Sequence, residues 1–222
     1  MTVSAWLDRD RQFGILISGI LLVSLAAFVG KNYGLFDMNF VVSFGPLPLS
    51  ILLVGMVRWT RKADTTVFYR RLLLGLLFGL LATAAYDLLR LVLQTALPLH
   101  FNAFAIHPRF GALIIHQPRT TTAAIVTGWA YHISNGLTFA LCWTLVAGRA
   151  RWWYAVIYAL ILEGAMVAMY PTAFGLSTHT KAFLTVSIAG HATYGLVLGV
   201  LTQRWNVADR MRSRPSRVKA AA

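Results

Sequence analysis

Asp87, His132, Glu163 and His191 are ionisable or metal-capable side chains set in four separate apolar stretches of the sequence. Imidazole and carboxylate together suit a divalent cation such as zinc or iron, and a carboxylate left off the metal can act as general base on water. Counted at about 1.5 Å of helix per residue from the outer end of each stretch, all four lie roughly 10–15 Å deep. Polar groups from several helices meeting at one level is how metal sites in bundle cores are built. The spacing therefore predicts a metal set of His132, His191, Asp87 and Glu163, with Glu163 or Asp87 as catalytic base. A di-iron bundle would need Glu-x-x-His repeats, which are absent, so one metal is expected rather than two. Arg90, Asn135 and Tyr194 share helical faces with Asp87, His132 and His191, and are the candidate substrate-binding residues. Arg90 is open to two roles, neutralising Asp87 or holding an anionic headgroup.

The elements that must carry these residues are membrane helices. Of 222 residues, 58% are hydrophobic and 12% charged, about half the charge of a soluble domain. The fold class expected is all-α: a polytopic membrane protein with six transmembrane helices. The spans read Phe13 to Gly30, Phe40 to Val57, Leu72 to Leu97, Ala123 to Ala147, Trp152 to Tyr170 and Ala182 to Gln203. Residues 1–12 form an N-terminal segment, 13–203 the membrane domain, and 204–222 a basic tail expected to be disordered or to lie on anionic lipid. Most Lys and Arg fall in the terminal segments and even-numbered loops, which puts both termini in the cytoplasm of a cell with this protein in its inner membrane. The net charge of +13 is explained by this loop bias, and no nucleic-acid recognition motif accompanies it.

Within the third span, Gly79, Thr83, Asp87, Arg90 and Gln94 line one helical face. Pro46 and Pro48 break or kink the second span. The outward-facing connection from Pro98 to Thr122 has apolar pieces, Phe101 to Ile106 and Phe110 to Ile115, too short to cross. They are expected to lie on the membrane surface or fold back over the bundle, while His100, His107 and His116, without a close pair, are expected to be solvated rather than metal-bound. Gly75-x-x-x-Gly79 and Gly195-x-x-x-Gly199 are expected to let the third and sixth spans close against each other on the cytoplasmic side. Cys142, the single cysteine, reads as a small buried hydrophobe.

Three functions fit the pattern. The first is a single-metal enzyme acting on a lipid or other apolar small molecule that enters from the outer leaflet. The second is b-type haem binding by His132 and His191, whose flanking glycines would admit a flat cofactor. The third is a proton-coupled transporter using the same ionisable residues. Trp129-Ala-Tyr-His132-Ile-Ser-Asn135 and Gly190-His191-Ala-Thr-Tyr194-Gly195 resemble the second and sixth helices of rhomboid intramembrane proteases. Those enzymes carry a Gly-x-Ser-Gly nucleophile in the intervening helix. Here that stretch reads Glu163-Gly-Ala-Met, so the resemblance implies a related scaffold and no protease activity.

Overall fold

The computed structural model describes residues 22–44, 66–98, 102–147, 150–167 and 180–212. All regular structure among them is helical. α1 (Val23–Asn32) and α2 (Met38–Phe44) form a short hairpin. α3 (Thr66–Ala96) leads through a 3-10 turn (Ala103–Ala105) into α4 (Ile106–Ile115). α5 (Thr122–Val146), α6 (Trp152–Val167) and α7 (Thr180–Arg212) complete the order. Pro46, Pro48 and His100 lie outside the described residues, as do Phe13 to Leu21 and Ser213 to the end of the tail. Helix α7 runs past Gln203 to Arg212, so the first part of the expected tail continues the helix.

The packing follows a chain of neighbours: α6 against α7, α7 against α3, α3 against α5, and α5 against α4. Among the described residues two stretches, Arg70–Ala96 and Lys181–Asn206, are long and apolar enough to cross a membrane. α5 has the length, at 25 residues, but His132, Ser134 and Asn135 interrupt its apolar character. α3 divides into two faces. Thr83 and Arg90 are buried, whereas Leu73, Leu77, Leu80, Leu88 and Leu91 form an exposed apolar stripe with Leu73 at 65%.

Close backbone approach sets the helix spacing. A Cβ on Gly75 would press on Leu141 and Thr144, and one on Gly79 on Ala140, Leu137 and Gly136, so this pair seats α3 on α5. Gly195 and Gly199 face Trp152, Ala155 and Val156, seating α7 on α6. The two glycine pairs were expected to meet each other. Each instead serves a different partner helix, because α3 and α7 both need a narrow face toward the helix beside them. Cys142 is buried, as expected of a small hydrophobe.

The connection whose histidines were expected in solvent brings the largest correction. Asn102 opens it by accepting a hydrogen bond from the Phe104 amide at 2.9 Å, and the Ala103 amide donates to Gln94 Oε1 at 2.7 Å. Pro108 falls in the first turn of α4, where a missing N–H costs nothing. His107, Phe110, Gly111 and Ile114 then form one buried stripe at helical spacing. Gly111 and Gly128 let α4 lie in backbone contact with α5: a Cβ on Gly111 would strike the Ala124 carbonyl, and one on Gly128 the His107 carbonyl. His116 ends the helix in the left-handed region at φ 54°. Its Nε2 lies 3.0 Å from Asp37 Oδ1.

The α1–α2 hairpin docks on this folded-back helix. Phe28 packs edge-on against Phe110, ring centroids 5.1 Å apart. The Asn39 side-chain Nδ2 donates to the Ile114 carbonyl. Asp37 accepts from Lys31 Nζ at 2.8 Å and from the backbone N–H of Asn39 at 2.8 Å. These bonds, Lys31 foremost, hold its carboxyl down at about 2.

Candidate metal centre

The polar face of α3 turns toward α4 and α5. Asp87 on α3 meets His132 on α5, with His132 Nε2 3.1 Å from Oδ1 and 3.0 Å from Oδ2. His107 on α4 stacks on His132, ring centroids 4.4 Å apart at 25°. One ligand atom from each of Asp87, His107 and His132 lies within 4.8 Å of the others. Three helices thus supply a carboxylate and two imidazoles to one point. His107 is 1% exposed.

Tetrahedral zinc, with Zn–N near 2.0–2.1 Å, needs ligand atoms about 3.3 Å apart. The set would have to draw in by up to about 1.5 Å, within the reach of side-chain rotation. Arg90 stands beside it. Its Nη1 is 3.4 Å from Asp87 Oδ1 and 3.4 Å from His107 Nε2, and its Nη2 donates to the Ala103 carbonyl. Its guanidinium lies over the rings of Tyr86 and Phe104, at 4.9 and 5.0 Å. Arg90 is therefore engaged by protein: it neutralises Asp87 and ties α3 to the turn before α4.

Glu163 and His191 form a pair of their own on α6 and α7. His191 Nδ1 is 3.1 Å from Glu163 Oε2 and 3.0 Å from the Ser187 carbonyl. The ring is better aligned with the carbonyl, and neither Glu163 oxygen has a hydrogen bond of good geometry among the described residues. The Tyr86 ring lies between the two groups, its centroid 5.7 Å from that of His132 and 4.9 Å from that of His191. So the four residues singled out by depth do gather in one region, but as two pairs with a tyrosine between them. The third member of the three-residue set is His107, which sequence reading placed in solvent. The signal for it was present in the stripe from His107 to Ile114.

A cavity of about 760 Å³ of empty space, its open mouth included, runs along these groups. Arg90, His107, His132, Asn135 and His191 line its polar side, and Phe28, Ile106, Phe110, Leu162 and Met166 its apolar side. Tyr194 also lines it, though its hydroxyl donates to the Gly136 carbonyl at 2.6 Å. Several buried polar atoms here have no hydrogen-bond partner among the described residues: Thr83 Oγ1, Asn135 Oδ1, His107 Nδ1 and Arg90 Nε. Such atoms are rare in folded proteins.

The model of a family described as a family of unknown function, DUF6789, matches residues 69–213. The chain belongs to the DUF6789 family. No curated protein and no solved structure matches it. The DUF6789 match takes in all of Asp87, Arg90, His107, His132, Glu163 and His191 and leaves out the α1–α2 hairpin.

Proposed function

We propose that this is an integral membrane protein that holds one divalent metal, such as zinc or iron, with Asp87, His107 and His132, and acts on a lipid or other apolar molecule. The observation that carries the reading is the convergence of three ligand atoms from three helices within 4.8 Å, inside an apolar helix bundle. Ionisable groups at membrane depth are costly and face a bundle interior or a cavity when they occur. The exposed leucine stripe of α3 supports burial in lipid, since a soluble surface rarely tolerates so large an apolar patch. Six crossings with both termini cytoplasmic remain the topology that the Lys and Arg distribution favours. α4 then folds back from the outer side as a half-embedded helix.

In this reading Arg90 balances Asp87. Glu163 stays outside the ligand set and pairs with His191. Glu163 and His191 are the acid–base pair on the far side of Tyr86. The metal supplies a Lewis acid and an activated water. The cavity has a lining of both polar and apolar side chains, as an amphiphile needs. Haem is less well served. A porphyrin bridging His132 and His191 would collide with Tyr86, and the glycine faces that could admit it are filled: Gly128 by the His107 carbonyl, Gly136 by Thr83 and Gly190 by Tyr86.

The test is elemental analysis of purified protein beside D87N, H107A, H132A and H191A. One metal per chain in the wild type and in H191A, with loss in the other three, is the expected result. A wild type that stays metal-free after exposure to zinc and to iron, or retention in all variants, overturns the proposal.

A further inference from the structure

The two ring nitrogens of His191 have opposite surroundings. Nδ1 lies 3.0 Å from the Ser187 carbonyl, one turn back on α7, and 3.1 Å from Glu163 Oε2 on α6. A carbonyl oxygen can only accept, so Nδ1 must carry the ring hydrogen, and in the neutral imidazole the free lone pair is then on Nε2. Nε2 has no hydrogen-bond partner among the described residues. Unlike Thr83 Oγ1, Asn135 Oδ1 and both Glu163 oxygens, it is not shielded. His191 lines the cavity, its side chain 12% exposed where that of Glu163 is 2%. The lone pair therefore opens on the cavity, and the carboxylate lies behind the ring.

Carboxylate, imidazole and open space in that order suit a general base whose charge is balanced from behind. When a substrate O–H donates to Nε2, the O–H bond breaks, its electron pair stays on oxygen, and the proton passes to Nε2. The imidazolium that forms has Glu163 Oε2 3.1 Å from its other nitrogen. The remaining titratable groups around the ring are Tyr86 and Arg90 on α3 and His132 on α5. Arg90 is bound by Asp87 and the Ala103 carbonyl, His132 is bound by Asp87, and Tyr86 meets the imidazole edge to face. Charge balance for His191 thus falls to Glu163. We propose that His191 is a catalytic residue of this cavity, the general base that takes a proton from a substrate hydroxyl through Nε2, with Glu163 as its positioning residue. The proposal rests on the reading of this cavity as a substrate site with an acid–base pair, and it names the atom that takes the proton and the group that gives it.

The experiment uses the full chain in lipid nanodiscs with chelator present throughout. Removing metal separates this question from the metal assignment, which elemental analysis decides by itself. The probes are para-nitrophenol, whose absorbance reports loss of its proton, and para-nitroanisole, which has the same ring and no O–H. Phe28, Phe110 and Phe139 on the cavity wall suit such a ring. At a pH where the phenol is neutral in water, the wild type should bind it at least about tenfold more tightly than the anisole and show the phenolate band. His191→Phe should lose both the preference and the band. His191→Gln, whose amide oxygen accepts a hydrogen bond and takes no proton, should lose the band. Glu163→Gln should keep the preference and weaken the band at least about tenfold, which a merely structural Glu163 would not do. Nitrogen NMR of isotope-labelled histidines, without probe, should show His191 protonated on Nδ1 and bare on Nε2, the signal being assigned by its loss in His191→Gln. A proton on Nε2, equal binding of the two probes, no phenolate band in the wild type, or a band that persists undiminished in His191→Phe or Glu163→Gln overturns the proposal.

Discussion

Gly128 controls whether His107 reaches the cluster, and Gly128→Ala is the sharpest test of that geometry. Its Cβ would overlap the His107 carbonyl and stand 3.2 Å from the Gly111 nitrogen. These are backbone atoms and cannot swing aside, so α4 must move off α5. Restoring ordinary contact at 3.5 Å or more requires a parting of about 1.5 Å. The ligand atoms already have to draw in by up to about 1.5 Å through side-chain rotation, and this parting adds as much again on the His107 side. The His107 ligand should therefore be lost, while Asp87 and His132, on α3 and α5, keep their contact. Overpacking of this kind costs about 1–3 kcal/mol of stability. The expected result is a protein still helical by circular dichroism, with metal affinity lowered at least about a hundredfold. Loss of a group that merely supports a ligand already weakens binding by about 10–100-fold, and this variant removes a ligand itself. Competition against a chromophoric chelator, with purified protein in detergent, measures it. Gly164→Ala is the control, since nothing lies within 4 Å of the added Cβ, and it should bind metal as the wild type does. If Gly128→Ala binds as tightly as Gly164→Ala, the α4–α5 contact does not position a ligand.

Three further outcomes follow from other contacts. Glu163→Gln should leave metal stoichiometry unchanged, because Glu163 pairs with His191 outside the three-residue set; loss of metal would place it among the ligands. Tyr194→Phe leaves the Gly136 carbonyl without its donor in a buried site and should cost about 1–2 kcal/mol, read as a lowered midpoint in thermal or denaturant unfolding. The Asp37 carboxyl is held down at about 2, below its unfolded value near 3.9, so its contribution to docking the hairpin is complete above pH 4 and fades as pH falls toward 2. Hydrogen exchange over residues 23–44 should speed up across that window, and Asp37→Asn should remove the dependence.

The sequence was readable where a single element explains a residue. The face of α3 from Gly79 to Gln94 follows from helical period alone, and it does turn inward to Gly136, His132, Ala103 and His107. Depth counting placed Asp87 and His132 together for the same reason: each sits mid-helix, and adjacent helices of equal register bring such residues level. His107 was lost because three prolines and three histidines make a segment look solvated, whereas the helical stripe at 107, 110, 111 and 114 becomes decisive only once α5 offers Gly128 as a seat. Which glycine pair meets which helix was likewise not readable. Small-residue spacing says that a close neighbour exists and is silent on its identity. Tyr86 illustrates the same limit: nothing in its local sequence reveals that its ring divides His132 from His191.

Phe28 stands apart from the rest of the cavity wall. It comes from a hairpin that precedes the stretch shared with the DUF6789 family, whereas the carboxylates, the imidazoles and Arg90 all fall inside it. Reactive groups and one bounding wall are thus encoded in separable parts of the chain. Changes confined to the leading hairpin would therefore reshape this wall of the cavity without touching the carboxylates, the imidazoles or Arg90.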